Sequence, residues 1–219
     1  MRTNRTRVLG AITAGLAVGA LVTACASGSA TPSSSSDRDD TVIIGTGATP
    51  QTLDPILASD VQTDFTVGGA YDKLIDYDDD GAIVPLVATE WTYNGDATAV
   101  TLTLRDDVVF HSGNPLTAAD VVYTLDRIAS LGIGVSSFLS SYASSTAVDD
   151  TTVEIALNGT NTTFVGALSK VYILDSALVS ENEGSDQGQA WLATNDAGSG
   201  PEAILDPIRD LGGTDGQRT

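Results

Sequence analysis

The sequence predicts a mixed α/β fold built around antiparallel strands, and three stretches carry that prediction. In "AVTLTLR", Val100, Leu102 and Leu104 alternate with Thr101, Thr103 and Arg105, the period-two signature of a half-buried strand. "TTVEIALN" repeats the pattern with Val153, Ile155 and Leu157. Between them, Thr117 followed three residues later by Asp120 forms a capping-box-like start. Val121, Val122, Leu125, Ile128 and Ala129 then share one helical face, and Gly132 and Gly134 stop the helix.

The chain has 219 residues, 42% of them apolar and 18% charged, a globular composition long enough to bury a core. Its first seven residues hold Arg2, Arg5 and Arg7 and no acid, and Val8 to Val22 is an apolar run too short to span a bilayer comfortably. Residues 1–24 therefore read as a bacterial secretory signal. Val22-Thr23-Ala24-Cys25 resembles a lipobox, which implies that Cys25 is acylated and becomes the mature N-terminus. Cys25 is the only cysteine, so no internal disulfide forms and the exported fold must rest on its core.

Residues 25–40, with "ASGSATPSSSSDRDD", have no apolar period and read as a Ser-rich tether. About 15 such residues reach roughly 20 Å, enough to lift a domain off a lipid surface. Folding is expected from Thr41, where "TVIIG" is a β-branched run suited to a buried strand. Residues 41–201 form the expected lobe, with a weaker helical or mixed pattern from Phe164 to Leu178. Residues 202–219 read as a divergent tail, expected to be disordered.

Ten basic residues against 29 acidic give a net charge of −19, and loss of Arg2, Arg5 and Arg7 with the leader leaves 7 against 29, or −22. Such a field repels phosphate backbones, which excludes nucleic acid as a partner, and repels anionic lipid, so membrane attachment has to come from an anchor.

The candidate chemistry is sparse. One histidine, His111, and one cysteine are too few for a His/Cys metal centre. His111 and Ser112 are sequence neighbours whose side chains diverge in extended backbone, so they do not make a base–nucleophile pair. His111 reads instead as a corner residue between Val108-Val109-Phe110 and the turn Ser112-Gly113-Asn114-Pro115. Asp76 to Gly81, "DYDDDG", begins like a calcium loop, but the twelfth place is Val87 and Pro85 interrupts it, so it reads as an acidic turn. "GTGATP" lacks the third glycine of a dinucleotide fingerprint. No catalytic residue, metal or cofactor is expected.

The order of the pieces says more than any one of them. "TPQTLDPILASD" is followed by "AYDKLIDYDDDGAIVPLVATEWTYNGDATAVTLTLRDDVVFHSGNPLTAADVVYTLDRI", then by "TTVEIALNGTNTTFVGAL" and "AGSGP". This series resembles the family 5 extracellular solute-binding proteins of ABC importers, which include oligopeptide-, dipeptide- and nickel-binding members. The resemblance covers about Thr41 to Pro201 and is most specific from Tyr71 to Arg127. It implies a periplasmic-binding-protein-like first lobe and a solute-binding role, the solute being a peptide. It also implies ABC permease subunits as partners, and export to the outer face of the cytoplasmic membrane with a lipid anchor at Cys25. Family members are far longer, so the chain is expected to lack the second lobe that closes on the ligand, and to bind solute weakly. The first-lobe lining of the cleft carries over onto Ala48, Thr49, Pro50, Gln51 and Leu53. A surface lipoprotein that acts through protein contacts is the alternative reading.

Overall fold

A computed structural model describes residues 52–203. The signal segment, Cys25, the tether, the strand expected from Thr41, the cleft residues Ala48, Thr49, Pro50 and Gln51, and the tail from residue 204 lie outside the described residues.

The chain enters through a short 3-10 turn, Pro55–Leu57, capped by the Asp54 carboxylate, which accepts from the Ile56 N–H. Helix α1, Val61–Val67, is capped by Asp60, whose side chain accepts from the N–H groups of Gln62 and Thr63. Those bonds favour the charged form and hold the Asp60 carboxyl below the usual carboxylate range. Strands β1, Ile75–Tyr77, and β2, Ile83–Pro85, form a hairpin whose turn is the acidic "DDDG" stretch. Asp78 closes it by accepting from the N–H groups of Asp80 and Ala82, and Gly81 takes the left-handed conformation (φ 80°) that the turn requires.

The main sheet has four antiparallel strands in the order β3-β4-β6-β5. These are β3, Ala88–Tyr93; β4, Ala99–Leu104; β5, Tyr142–Asp149; and β6, Thr152–Leu157. The two alternating sequences therefore sit at its centre as neighbours, with Val100 opposite Ile155 and Leu102 opposite Val153. Val100, Leu102, Leu104, Val153, Ile155 and Leu157 all face inward, and Thr101, Thr103 and Arg105 are exposed, as the alternation predicts. Burying side chains of this size contributes about 1.5–3 kcal/mol each.

Helix α2, Ala118–Leu131, packs against β5 and β6. Its capping box is formed: the Asp120 carboxylate accepts from both the N–H and the hydroxyl of Thr117. Gly132 ends it in the left-handed conformation, its N–H donating to the Ile128 carbonyl. One expected core position differs. Ala129 is exposed, because the buried stripe is centred on Val121, Thr124, Leu125 and Ile128. Thr124 is drawn inside because its hydroxyl accepts from the Leu174 N–H, and Arg127 because it is paired internally.

The mixed pattern from Phe164 resolves into α3, Phe164–Ala167, a 3-10 turn at Leu168–Lys170, and α4, Ser176–Glu181, followed by α5, Gln189–Leu192. Phe164, Val165 and Leu168 join the main core under the sheet, whereas α4 and α5 build a second core in which Val179 and Leu192 meet Val67, Tyr71, Tyr172 and Leu174. Tyr71 and Tyr172 meet there edge to face at 6.4 Å. Among the described residues no helix is long and apolar enough to cross a membrane.

Candidate functional site

Of the residues carried over as cleft lining, Leu53 is the one described, and its side chain is core, 1% exposed. Its N–H donates to the Ala193 carbonyl at 3.3 Å, which ties it to the end of α5.

The next residue does more. Both oxygens of Asp54 face the guanidinium of Arg127, Oδ1 at 3.0 Å from Nη1 and Oδ2 at 2.6 Å from Nη2, and each side chain is only 2% exposed. The remaining guanidinium nitrogen of Arg127, Nε, donates to the Gln187 carbonyl at 2.7 Å. Gln187 itself holds φ 56°, an uncommon conformation for a side-chain-bearing residue, and its amide donates to the Ser130 hydroxyl. A bidentate, fully buried pair of this kind needs all its donors and acceptors matched. Here it locks three distant pieces of chain together: the Thr52–Ile56 entry, the last turns of α2 and the loop before α5. The sequence shows Asp54 and Arg127 only as isolated charges 73 residues apart. Nothing in local patterning predicts the pair.

His111 proves to be a clasp. Its Nε2 lies 2.7 Å from the Gly200 carbonyl, to which it can only donate, and its Nδ1 lies 2.8 Å from Asp196 Oδ2. Its backbone N–H donates to the Gly198 carbonyl. The same turn is held a second time. The Ser112 hydroxyl and the Asn114 amide both donate to Asp175 Oδ2, while Asp175 Oδ1 caps α4 by accepting from the Leu178 N–H. The neighbouring Asp120 completes the series by accepting from the N–H and hydroxyl of Ser176 through Oδ1. His111 and Ser112 are therefore engaged by Asp196, Asp175 and the Gly200 carbonyl. Ser112 faces a carboxylate and His111 faces a different one, so no activated hydroxyl results. The "FHSGNPLTA" block thus holds Asp175 and residues 196–200 against the turn that follows Phe110.

The receiving strip is "AGSGP". The Gly200 N–H donates to the Ala70 carbonyl and the Glu202 N–H to the Gly69 carbonyl, so Glu202 is still docked. The Ser199 hydroxyl donates to Asp72. Tyr71, against which this strip lies, donates no proton readily: burial pushes its hydroxyl far above the ordinary phenol range. Burial, and then the adjacent Asp126, do the same to Tyr142. A groove of about 200 Å³ lies between α2 and the loop before α5, lined by Tyr123, Asp126, Arg127, Ser130, Glu183 and Gln187. Among the described residues no cluster of three or more His, Cys, Asp or Glu could hold a metal ion.

With this geometry in view, the kinship of the chain is specific. The "Probable D,D-dipeptide-binding periplasmic protein DdpA" of Escherichia coli (strain K12) is 32% identical over 170 residues, 74% of this chain and 33% of that protein. Among solved structures, the ABC transporter substrate-binding protein CtaP of Listeria monocytogenes superposes with a TM-score of 0.64 at 26% identity, covering 74% of this chain and 33% of its own. The dipeptide-binding protein of Pseudoalteromonas sp. SM9913, solved with Met-Leu, gives a TM-score of 0.65 at 21% identity, covering 74% and 36%, a likeness of fold. The neighbours are periplasmic-binding-protein folds, and the chain spans about a third of their length, consistent with one lobe. The family model for the bacterial extracellular solute-binding proteins, family 5, middle region, matches residues 82–201. That match covers more than half of the chain, and it lies on the sheet, the clasp and the "AGSGP" strip described above: the chain belongs to the family 5 bacterial extracellular solute-binding proteins.

Proposed function

We propose that this lobe supplies one wall of a solute site in an ABC import system, that the solute is a peptide, and that the wall is the segment Ala48, Thr49, Pro50 and Gln51. The observation that carries this reading is the anchoring immediately behind that segment. Leu53 is buried against the end of α5, and Asp54 is clamped by Arg127, so the point to which that segment is joined is held in place. Fixing a binding segment in advance lowers the ordering cost that a ligand must overcome. The dipeptide in the name of the E. coli relative supports a peptide, and the family's extracellular character supports an exported protein.

One wall of an enclosing site leaves much of a peptide in water, so for this lobe by itself a dissociation constant of about 1 mM is expected, near −4 kcal/mol. A ligand that binds only the native state stabilises it by about 1.4 kcal/mol at tenfold excess over Kd, which raises the melting temperature by a few degrees. A mixture of short peptides at that excess should give this rise in the chain from residue 26 onward, and neutral sugars should not. A melting temperature indifferent to peptide contradicts the reading.

In the same proposal Cys25 carries the lipid, the Ser-rich tether holds the lobe above the outer face of the cytoplasmic membrane, and permease subunits receive the solute. Cys25→Ala should leave the protein either uncleaved or shed from the membrane fraction. A variant that is processed and retained like the unaltered protein rules the anchor out.

A further inference from the structure

The chain contains two Asn–Gly dipeptides, Asn94-Gly95 and Asn158-Gly159, and they sit in very different hydrogen-bonding environments. We infer that Asn158 is a site of spontaneous deamidation, that Asn94 is protected, and that conversion of Asn158 loosens the start of the edge strand β5.

The reaction needs no cofactor. The Gly159 backbone nitrogen, its proton taken by solvent base, attacks Cγ of the Asn158 side chain and forms a C–N bond. The carboxamide C–N bond breaks, ammonia leaves, and a cyclic imide remains. Water then adds to one imide carbonyl or the other, giving aspartate or isoaspartate. Glycine favours the first step because no Cβ obstructs the approach. At Gly159 an added Cβ would meet nothing within 4 Å, so the surroundings leave room for the ring as well.

The discriminating feature is how each side chain is held. Asn94 Oδ1 accepts from the N–H groups of Thr98 and Ala99, and its Nδ2 donates to the Thr98 hydroxyl, so three bonds fix the amide within the β3–β4 turn. Asn158 sits in an exposed bend after β6, with one side-chain bond among the described residues, from Nδ2 to the Tyr142 carbonyl at 3.0 Å. Swinging Cγ toward the next nitrogen breaks three bonds at Asn94 and one at Asn158. Two additional hydrogen bonds slow cyclisation at Asn94 by roughly tenfold.

That single bond is also what gives the conversion a consequence. Tyr142 is the first residue of β5, the edge strand of the sheet, and the Asn158 amide holds its carbonyl. A carboxylate in place of the amide has no proton to donate and sets an anionic oxygen against that carbonyl. The first pairings of β5 with the end of β6 should open more often, which exposes a strand edge to pairing with another chain.

The test uses the full chain, incubated in mildly alkaline buffer and mapped over time by mass spectrometry that separates aspartate from isoaspartate. Conversion at Asn158 about tenfold faster than at Asn94 is expected. Equal rates, or faster conversion at Asn94, overturn the assignment; the latter would mean that the two N–H groups on its Oδ1 activate the carbonyl instead of restraining it. Gly159→Ala, for which the structure has space, should slow conversion at Asn158 by on the order of tenfold with the fold intact. An unchanged rate also overturns it. The structural consequence is read in Asn158→Asp by hydrogen exchange. Amides from Tyr142 to Ser145 should exchange several-fold faster, and unchanged exchange refutes the loosening of β5.

Discussion

Arg127→Met is expected to destabilise the lobe by about 3–5 kcal/mol, because it leaves the Asp54 carboxylate buried with neither a counter-charge nor its two strongest donors. Asp54 is 2% exposed and cannot reach solvent without pulling the Thr52–Ile56 entry out of the core. Removing both charges should behave differently. The pair's Coulombic gain is largely offset by desolvation, so Asp54→Leu combined with Arg127→Met should recover most of the loss. The Gln187 carbonyl then loses its Arg127 donor, and that residue keeps its unfavourable φ of 56°, so recovery should fall short by about 1 kcal/mol. Urea unfolding of the two variants decides the matter. A single variant within 1 kcal/mol of the unaltered protein, or a double variant as unstable as the single, contradicts the clamp.

The second large effect is expected at Gly198. A Cβ there would lie 1.9 Å from the Ala70 carbonyl oxygen and 2.8 Å from its carbon. Both obstructing atoms are backbone, so relief requires the "AGSGP" strip to move off the Gly69–Tyr71 segment. That movement would break the bonds of Gly200 to Ala70 and of Glu202 to Gly69, and would pull the Gly200 carbonyl and Asp196 away from His111. Gly198→Ala should therefore cost roughly 3 kcal/mol. It should also raise hydrogen exchange through residues 196–202 while the four-stranded sheet stays protected. Uniform loss of protection across the sheet would show that the strip is not a separable element.

The sheet was legible because its signal is local. Val100, Leu102, Leu104, Val153, Ile155 and Leu157 announce their faces by alternation, and Thr117 with Asp120 announces the start of α2. Ala129 misled because helical spacing locates an apolar stripe only to within a residue or so. Thr124 and Arg127, polar by composition, are drawn inward by partners at Leu174 and Asp54 that no window around α2 contains. The polar groups followed the same division. His111 could be read as a corner residue from its neighbours. Its partners Asp196 and Gly200 lie 85 and 89 residues away and emerge only from the fold. Buried carboxylates such as Asp54, Asp120 and Asp175 look like surface acids in a sequence as acidic as this one, and only their donors reveal them.

The central claim, that the segment before Leu53 faces solute while the histidine turn is scaffold, is tested most directly by amide chemical shifts during peptide titration. The chain from residue 26 onward would be labelled with ¹⁵N and titrated with short peptides to about 10 mM, roughly tenfold above the Kd expected for a single wall. The account predicts saturable shifts that concentrate at Ala48, Thr49 and Gln51 and spread weakly to Leu53 and Asp54, with the turn from His111 to Asn114 unmoved. Shifts centred on His111 and Ser112, or none anywhere at saturating peptide, would contradict it.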